Sequence, residues 1–173
     1  SSDLPRCNAA GRMGDPMLTM RLLQSRSMSD ASKLATELDA QNQKRRELEA
    51  EVVEQAGLQI ETKENLATER TVVVAGDDWH QGVLGIVASR LARAHCNPAA
   101  VLTKSQDDLL IGSIRSVQGV NLIEALGQVE DCMESFGGHA LAAGVSLRPD
   151  RLPQFRDLFE SQVGAIASPE TML

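Results

Sequence analysis

The sequence predicts an α/β domain with helices on both faces of a β-sheet, preceded by one long helix. Two observations predict this fold class. From Arg70 onwards, short apolar runs typical of buried strands alternate with segments of helical period. Before that point, residues 30–56 form one continuous helical pattern. The chain has 173 residues and a hydrophobic content of 42%, which is enough for a proper core.

The N-terminal part begins with a stretch punctuated by Gly and Pro, followed by a short amphipathic helix near Pro16–Gln24. Ser27 and Asp30 form a capping pattern for the long helix, and Gly57 is its candidate C-cap. Apolar residues lie at both ends of this helix, whereas residues 41–46 are wholly polar. We therefore expect a strut between two packed bodies, with a solvated middle. The alternative is a surface helix of a single domain.

The elements after Arg70 are predicted from apolar runs and the turn residues between them. Strands are expected at 71–75, 99–103, 109–115 and 144–147, and helices at 82–94, 121–129 and 150–163. Since strands and helices alternate, the helices should cover both faces of the sheet and give three layers.

Composition argues against several classes of function. A net charge of −7 counts against a large nonspecific duplex-binding surface, and aromatic residues at 2% are too few for base stacking. Any contact with nucleic acid would therefore rely on backbone amides and arginines. Cys7, Cys96 and Cys132 lack metal-site spacing and are expected to be free thiols. We see no signal peptide or membrane-spanning run, which predicts a cytoplasmic protein.

Two motifs place an arginine beside small or hydroxyl residues. Residues 8–12 read Asn-Ala-Ala-Gly-Arg, so that Arg12 would project from a constrained turn with a planar fork suited to phosphate. Ser113 and Arg115 would share one face of a strand, where both could receive a terminal phosphate. The alternatives are a solvated surface arginine and an edge strand with a solvated face.

The third motif is Gly137-Gly138-His139. Two glycines would leave a backbone turn free of side chains, so that main-chain N–H groups could approach an anion, and His139 adds a side chain able to donate or accept a proton. The alternative is a tight turn with a packed histidine.

The fourth motif, residues 76–86, joins a strand to a helix and contains Asp77, Asp78 and His80. A metal site is one interpretation. We favour helix capping, with Trp79 as a packed lid, because two acids and one histidine within four residues rarely complete a coordination sphere. The sequence also lacks a Walker A loop, a nucleophile elbow, a Rossmann fingerprint and the Asp/His cluster of a two-metal hydrolase.

Taken together, four stretches resemble the bacterial RecJ single-stranded-DNA-specific exonucleases of the DHH/DHHA1 phosphoesterase superfamily. They are 5–12, 79–90, 112–116 and 136–144, and the resemblance extends over about 4–163. It implies a three-layer α/β/α DHHA1 domain with a mixed sheet, preceded by a long connecting helix. The implied divisions are the end of a DHH domain at 1–26, the connecting helix at 27–58 and the DHHA1 substrate-binding domain at 66–167.

The same resemblance implies a metal-dependent phosphodiester hydrolase that degrades single-stranded DNA from its 5′ end, in recombination and repair. Such enzymes hold two Mn²⁺ or Mg²⁺ ions in the DHH domain, whose Asp-His-His motif does not occur in this sequence. We therefore expect a piece of a longer protein that binds no metal and is inactive alone. Its expected partners are single-stranded DNA with a 5′ end and the DHH domain in cis.

The resemblance also assigns roles to individual residues of this chain. Asn8 and Arg12 would bind substrate phosphate from the DHH side, and Ser113 with Arg115 would hold the 5′-terminal phosphate. The remaining roles fall on the third motif: Gly137 and Gly138 would offer backbone to the DNA, and His139 would be the catalytic residue facing the scissile phosphate.

Two other functions stay open at this stage. Glycine-glycine-histidine is shared with DHHA1 phosphodiesterases acting on small RNA or cyclic dinucleotides. A non-catalytic interaction module could instead use the helix of residues 30–56 for docking.

Overall fold

The computed structural model of the protein describes residues 3–62 and 69–166. Three N-terminal helices are α1 (Asp3–Met13), α2 (Met17–Gln24) and α3 (Met28–Glu61). The elements that follow are β1 (Val72–Gly76), α4 (Gln81–His95), β2 (Ala99–Lys104), β3 (Leu110–Arg115), α5 (Leu122–Gly127), β4 (Ser135–His139), β5 (Ala142–Leu147) and α6 (Leu152–Ile166). The predicted domain limits at residues 66 and 167 lie outside the described residues.

The strands form one mixed sheet in the order β1-β2-β3-β5-β4. β1 and β2 are parallel, because α4 connects them as a crossover, and the other neighbours are antiparallel. α3 and α4 lie against one face of the sheet, and α5 and α6 lie against the other. The predicted three-layer α/β/α fold with a mixed sheet and a preceding long helix is confirmed.

Each face of the sheet has its own apolar core. On the α5–α6 face, Phe155 and Phe159 are fully buried and stack with ring centroids 5.5 Å apart. On the α4 face, Val83 and Val87 pack on Val72 and Val74. Alternate residues of β1 therefore serve opposite cores, as the period of a strand requires.

α1 was not expected from the sequence, which predicts an irregular stretch there. The helix runs through Gly11 and ends at Met13, and Gly14 follows it with a φ of +103° that glycine readily adopts. Ala10 and Leu18 are completely buried and pack on Leu38 of α3. This packing outweighs the poor helix propensity of the segment.

α3 begins as predicted and ends later than predicted. Ser27 accepts a hydrogen bond from the Asp30 amide at 3.2 Å, which confirms the N-cap. The prediction of a C-cap at Gly57 is wrong, because the helix continues to Glu61 and buries Ile60 one turn beyond Ala56. At 1.5 Å per residue, the 34 residues of α3 span roughly 50 Å.

The middle of α3 is only partly solvated, whereas the sequence predicted a wholly solvated segment. Asn42, Arg45 and Glu49 are buried, and the last two lie beside α4. Arg45 donates to one carboxylate oxygen of Glu49, and Arg90 of α4 approaches the other at 2.9 Å. A buried ion network therefore fixes α3 to α4 where the sequence suggested only a polar stretch.

Within residues 3–62 and 69–166, no helix is both long and apolar enough to cross a bilayer.

Candidate phosphate-binding site

The glycine-glycine-histidine motif lies in an edge strand and not in a turn. Gly137, Gly138 and His139 all belong to β4, which pairs only with β5 among the described strands. The reversal of the chain comes afterwards, at residues 140–141, before β5 begins. The predicted turn is therefore wrong. The whole segment pairs with β5, and this pairing cannot be inferred from the local sequence pattern.

The register of the sheet aligns the motif with the second arginine motif. Arg115 of β3 lies opposite Ala142 of β5, which in turn lies opposite His139 of β4. Ser113, Gly144 and Gly137 form the adjacent row in the same way. Because directly paired residues point to the same face, both rows lie on the α4 face of the sheet.

This face is uncovered beyond β3. α4 lies over β1, β2 and β3, whereas Gly137, Gly144 and His139 are exposed. Two strand spacings separate His139 from Arg115, which is about 10 Å. The rows thus form a shallow floor of small residues that leads from Arg115 towards His139. Gly138 is out of phase with this floor, since it pairs with the buried Ala143 of the opposite face.

At the covered end of the floor, α1, α4 and β3 enclose a cleft of about 480 Å³. Arg12 comes from α1, Gln81 and Gly85 from the first turns of α4, and Ser113 and Arg115 from β3. The N-terminus of α4 therefore opens into the cleft. Helix N-termini carry partial positive charge and favour anions.

Two arginines share this cleft without a counter-charge. In the described part of the chain, neither Arg12 nor Arg115 forms an ion pair with a carboxylate. Burial lowers the pKa of Arg115, and the nearby charge of Arg12 lowers that pKa further. Since arginine stays protonated in proteins, the cleft holds two like charges, an arrangement that an anion would stabilise.

Hydrogen bonds fix the side chain of Arg115. Its Nη1 donates to Ser113 Oγ at 2.8 Å and to the Ile114 carbonyl at 2.9 Å. The guanidinium is thus held in place before any ligand arrives, and its other N–H groups remain for an acceptor. Arg12 is held more weakly, by a contact of 3.5 Å between Nη1 and the Gly82 carbonyl.

Two glycines of α4 allow this close approach, and sequence reasoning missed their part in the cleft. A Cβ on Gly85 would lie 2.8 Å from Arg115 Nη2, and a Cβ on Gly82 would lie 2.0 Å from the Arg12 carbonyl oxygen. Glycine in a helix costs about 1 kcal/mol relative to alanine. Glycines at i and i+3 of a predicted helix were the available signal of close packing.

The segment between β1 and α4 has a structural role. His80 Nδ1 accepts from the Gly82 amide at 3.1 Å and caps α4, which confirms the capping interpretation for this residue. Trp79 is buried against Gly76 and donates through Nε1 to Gln55 of α3 at 2.6 Å. The long helix therefore helps to position the loop that leads into the cleft.

The structure brings together three of the seven predicted site residues. Arg12, Ser113 and Arg115 line the cleft. Asn8 is exposed one turn earlier on α1 and does not line it. Gly137 and His139 lie on the open floor, and Gly138 belongs to the opposite face. No His, Cys, Asp or Glu cluster within residues 3–62 and 69–166 could hold a metal ion, so these residues do not fit a metal centre.

Fold and site together define an α/β domain with a cleft that holds two guanidinium groups beside an open sheet edge. The DHHA1 domain model matches residues 68–165, which is more than half of the chain. The chain therefore belongs to the DHHA1 domain family.

The similar proteins are longer than this chain. The single-stranded-DNA-specific exonuclease RecJ of Dickeya dadantii is 41% identical over 172 residues, covering 92% of this chain and 29% of that protein. The crystal structure of RecJ from Thermus thermophilus in complex with Mg²⁺ has a TM-score of 0.83 at 30% identity, covering 95% of this chain and 25% of that one. The same protein in complex with Mn²⁺ also gives 0.83 at 30% identity, covering 95% and 24%.

Proposed function

We propose that this chain is the substrate-binding part of a RecJ-like 5′-to-3′ exonuclease, and that its cleft receives the 5′-terminal phosphate of single-stranded DNA. The guanidinium groups of Arg12 and Arg115, which pair with no carboxylate among the described residues, carry this proposal, because a bound anion would relieve their mutual repulsion. The relatives' activity on single-stranded DNA supports a nucleic-acid phosphate as that anion.

In this proposal a terminal phosphate is favoured over an internal one. A terminal monoester carries up to two negative charges and three free oxygens, whereas an internal diester carries one charge. Two guanidinium forks, the Ser113 hydroxyl and the amides of the first turn of α4 match the larger charge. Binding the end of the strand in a cleft of about 480 Å³ would fix the direction of cleavage.

The strand would continue from the cleft over the floor between β3 and β4. Gly137 and Gly144 keep side chains out of the way, and His139 at the far end would face the phosphodiester to be cleaved. A histidine placed there would stabilise developing charge or move a proton. Gly138 would contribute only backbone, and Asn8 would extend the contact on the side of α1.

The divalent metal would be held by residues outside those described, since the described ones offer no donor cluster. In proteins of this kind the metal would supply the activated water. This chain spans less than a third of the length of its curated relatives, and we propose that a DHH domain in cis supplies the ligands. The cytoplasm is the expected location.

Affinity for matched oligonucleotides tests this function. We expect the chain to bind 5′-phosphorylated single-stranded DNA about tenfold or more tightly than 5′-hydroxyl DNA, given the strength of hydrogen bonds to charged groups. Incubation with Mn²⁺ should give no degradation. Equal affinity for the two oligonucleotides would contradict the proposal, and so would degradation that survives rigorous purification.

A further inference from the structure

Arg12 and Arg115 belong to two parts of the protein that pack separately. α1 and α2 form a small apolar core with the first half of α3, in which Ala10 and Leu18 are completely buried beside Leu38. Among the described residues, this core shares no member with the two cores of the sheet. The cleft therefore lies at the joint between two packed bodies, and its width depends on how closely α1 approaches α4.

The side chain of Arg12 does little to hold α1 in place. Its Nη1 lies 3.5 Å from the Gly82 carbonyl oxygen, which is long for a hydrogen bond. A closer contact ties α1 to its own body, namely the ion pair of 2.7 Å between Arg6 and Asp39 of α3. The position of Arg12 in the cleft therefore depends on where the backbone of α1 meets α4.

The backbones of α1 and α4 meet at Gly82. A Cβ there would lie 2.0 Å from the Arg12 carbonyl oxygen and 2.9 Å from the Arg12 carbonyl carbon. Both are backbone atoms, so no side-chain rotation could make room, and a larger residue would push the two helices apart. Helix dipoles favour the close contact, because the C-terminus of α1 carries partial negative charge and the N-terminus of α4 partial positive charge.

Gly82 itself is held firmly on the side of the sheet. Its amide donates to His80 Nδ1 at 3.1 Å, and the amide of Val83 donates to the His80 carbonyl at 3.1 Å. The preceding Trp79 is buried and donates to Gln55 of α3 at 2.6 Å. Because these bonds fix the start of α4, a Cβ on Gly82 would displace α1 and leave α4 in place.

We propose that Gly82 is a positioning residue of the cleft: it lets the C-terminus of α1 lie directly against α4 and so sets the distance between the guanidinium groups of Arg12 and Arg115. This role rests on the proposed function, because the distance matters only when one phosphate binds to both groups. Gly85 acts on the other side of the cleft, where the missing side chain leaves room for Arg115. Two glycines, at i and i+3 of one helix, thus place one arginine each.

The test consists of double-mutant cycles, measured by fluorescence anisotropy with 5′-phosphorylated and 5′-hydroxyl trithymidylate. Gly82→Ala and Gly85→Ala are each introduced into the wild-type protein and into the Arg12→Gln variant. Gly57→Ala is the matched control, since it also adds a methyl group to a helix but meets no atom within 4 Å. Circular dichroism and urea denaturation establish that each variant is folded.

We expect Gly82→Ala to weaken binding of the 5′-phosphorylated strand by about tenfold, as the loss of a charge-assisted hydrogen bond does, and to leave the 5′-hydroxyl strand unchanged. In the Arg12→Gln background the same substitution should change affinity by less than about twofold, because the guanidinium group that it displaces is absent there. Gly85→Ala should weaken binding in both backgrounds, and Gly57→Ala in neither.

Unchanged binding by the Gly82→Ala variant would overturn the positioning role. An equal loss in both backgrounds, or for both strands, would also overturn it, because either result indicates general damage to the fold. Failure of the proposed function has a different signature: wild-type protein would bind the two strands equally, and Arg12→Gln would change neither affinity.

Should the Gly82→Ala variant fail to fold, Trp79→Phe takes its place in the cycle. This substitution keeps an aromatic ring but removes the hydrogen bond to Gln55, which loosens the segment before Gly82. It should weaken binding of the 5′-phosphorylated strand by a smaller factor, and that loss should disappear in the Arg12→Gln background. A loss of the same size in both backgrounds would overturn the role.

Discussion

Arg12 of α1 and Arg115 of β3 face each other across one cleft, close enough for the charge of Arg12 to lower the pKa of Arg115. They come from distant parts of the chain, and the contact of α1 with α4 brings them together. Electrostatic repulsion between two neighbouring guanidinium groups lowers the stability of the fold. The pair is therefore best explained by an anionic ligand that both guanidinium groups bind.

Removing Arg115 should abolish the preference for a 5′ phosphate. Arg115→Ala deletes charge-assisted hydrogen bonds worth about 1.5–3 kcal/mol, so affinity for 5′-phosphorylated DNA should fall by about tenfold to a hundredfold. Binding of 5′-hydroxyl DNA should change little. Anisotropy titrations with both oligonucleotides measure the ratio, and Arg21→Ala, at an exposed position of α2, is the control. A ratio that stays at the wild-type value would rule out the assigned role.

A side chain that fills the cleft should weaken DNA binding without lowering the stability of the protein. Gly85→Ala places a Cβ 2.8 Å from Arg115 Nη2 and 3.2 Å from Ser113 Oγ, which would displace the guanidinium from its position. Because alanine favours helix by about 1 kcal/mol, the variant should be no less stable to urea while binding 5′-phosphorylated DNA more weakly.

Gly57→Ala is the matched control for this substitution, since a Cβ there meets no atom within 4 Å. It should stabilise α3 by about 1 kcal/mol and leave DNA binding unchanged. Undiminished binding by the Gly85→Ala variant would show that the phosphate does not enter between Gly85 and Arg115.

Binding should strengthen with pH around the second ionisation of a terminal phosphate, whose pKa is about 6. Arg12 and Arg115 stay protonated throughout this range, so the charge of the two guanidinium groups does not change. The affinity for 5′-phosphorylated DNA should therefore be higher at pH 7.5 than at pH 5. The 5′-hydroxyl strand should show a flat profile over the same titration. Parallel profiles for the two strands would indicate that the protein titrates instead.

The buried network between α3 and α4 should be essential for stability. Glu49→Gln leaves Arg45 buried without its counter-charge, and such removal of one partner costs about 3–5 kcal/mol. Chemical denaturation measures the loss. Glu54→Gln, at an exposed position of the same helix, should leave the free energy of unfolding within about 0.5 kcal/mol of wild type. Equal effects of the two substitutions would refute a structural role for the network.

His139 should not contribute to recognition of the 5′ end. It is exposed, and two strand spacings place it about 10 Å from Arg115. His139→Ala should keep the ratio of affinities for 5′-phosphorylated and 5′-hydroxyl DNA. In an exonuclease that contains this chain, the same substitution should lower turnover more than substrate binding. A selective loss of 5′-phosphate binding would place His139 in the cleft instead.

Features set by local sequence were predictable. The apolar run at 72–74 indicates a buried strand, and the Ser27–Asp30 pattern marks the start of α3, because both depend on residues close in the chain. Likewise, the period of a strand places Ser113 and Arg115 on one face without reference to any partner. These two side chains supply the hydroxyl and one of the two guanidinium groups of the cleft.

Features set by contacts distant in sequence were not predictable. Gly137 and Gly138 suggest a turn, and only the pairing with β5 makes them a strand. α1 contains Gly11 and reads as irregular, yet burial of Ala10 against α3 makes it helical. Similarly, the polar run around Arg45 suggests a solvated segment, but the Glu49 carboxylate pairs there with both Arg45 and the distant Arg90 of α4.

The most direct measurement is a crystal structure of this chain with a 5′-phosphorylated trinucleotide. The proposed function predicts the terminal phosphate in the cleft, with oxygens about 3 Å from the guanidinium nitrogens of both Arg12 and Arg115. The nucleotides that follow should lie along the floor towards His139. A terminal phosphate bound elsewhere on the protein, with the two guanidinium groups in contact with solvent alone, would contradict the central claim.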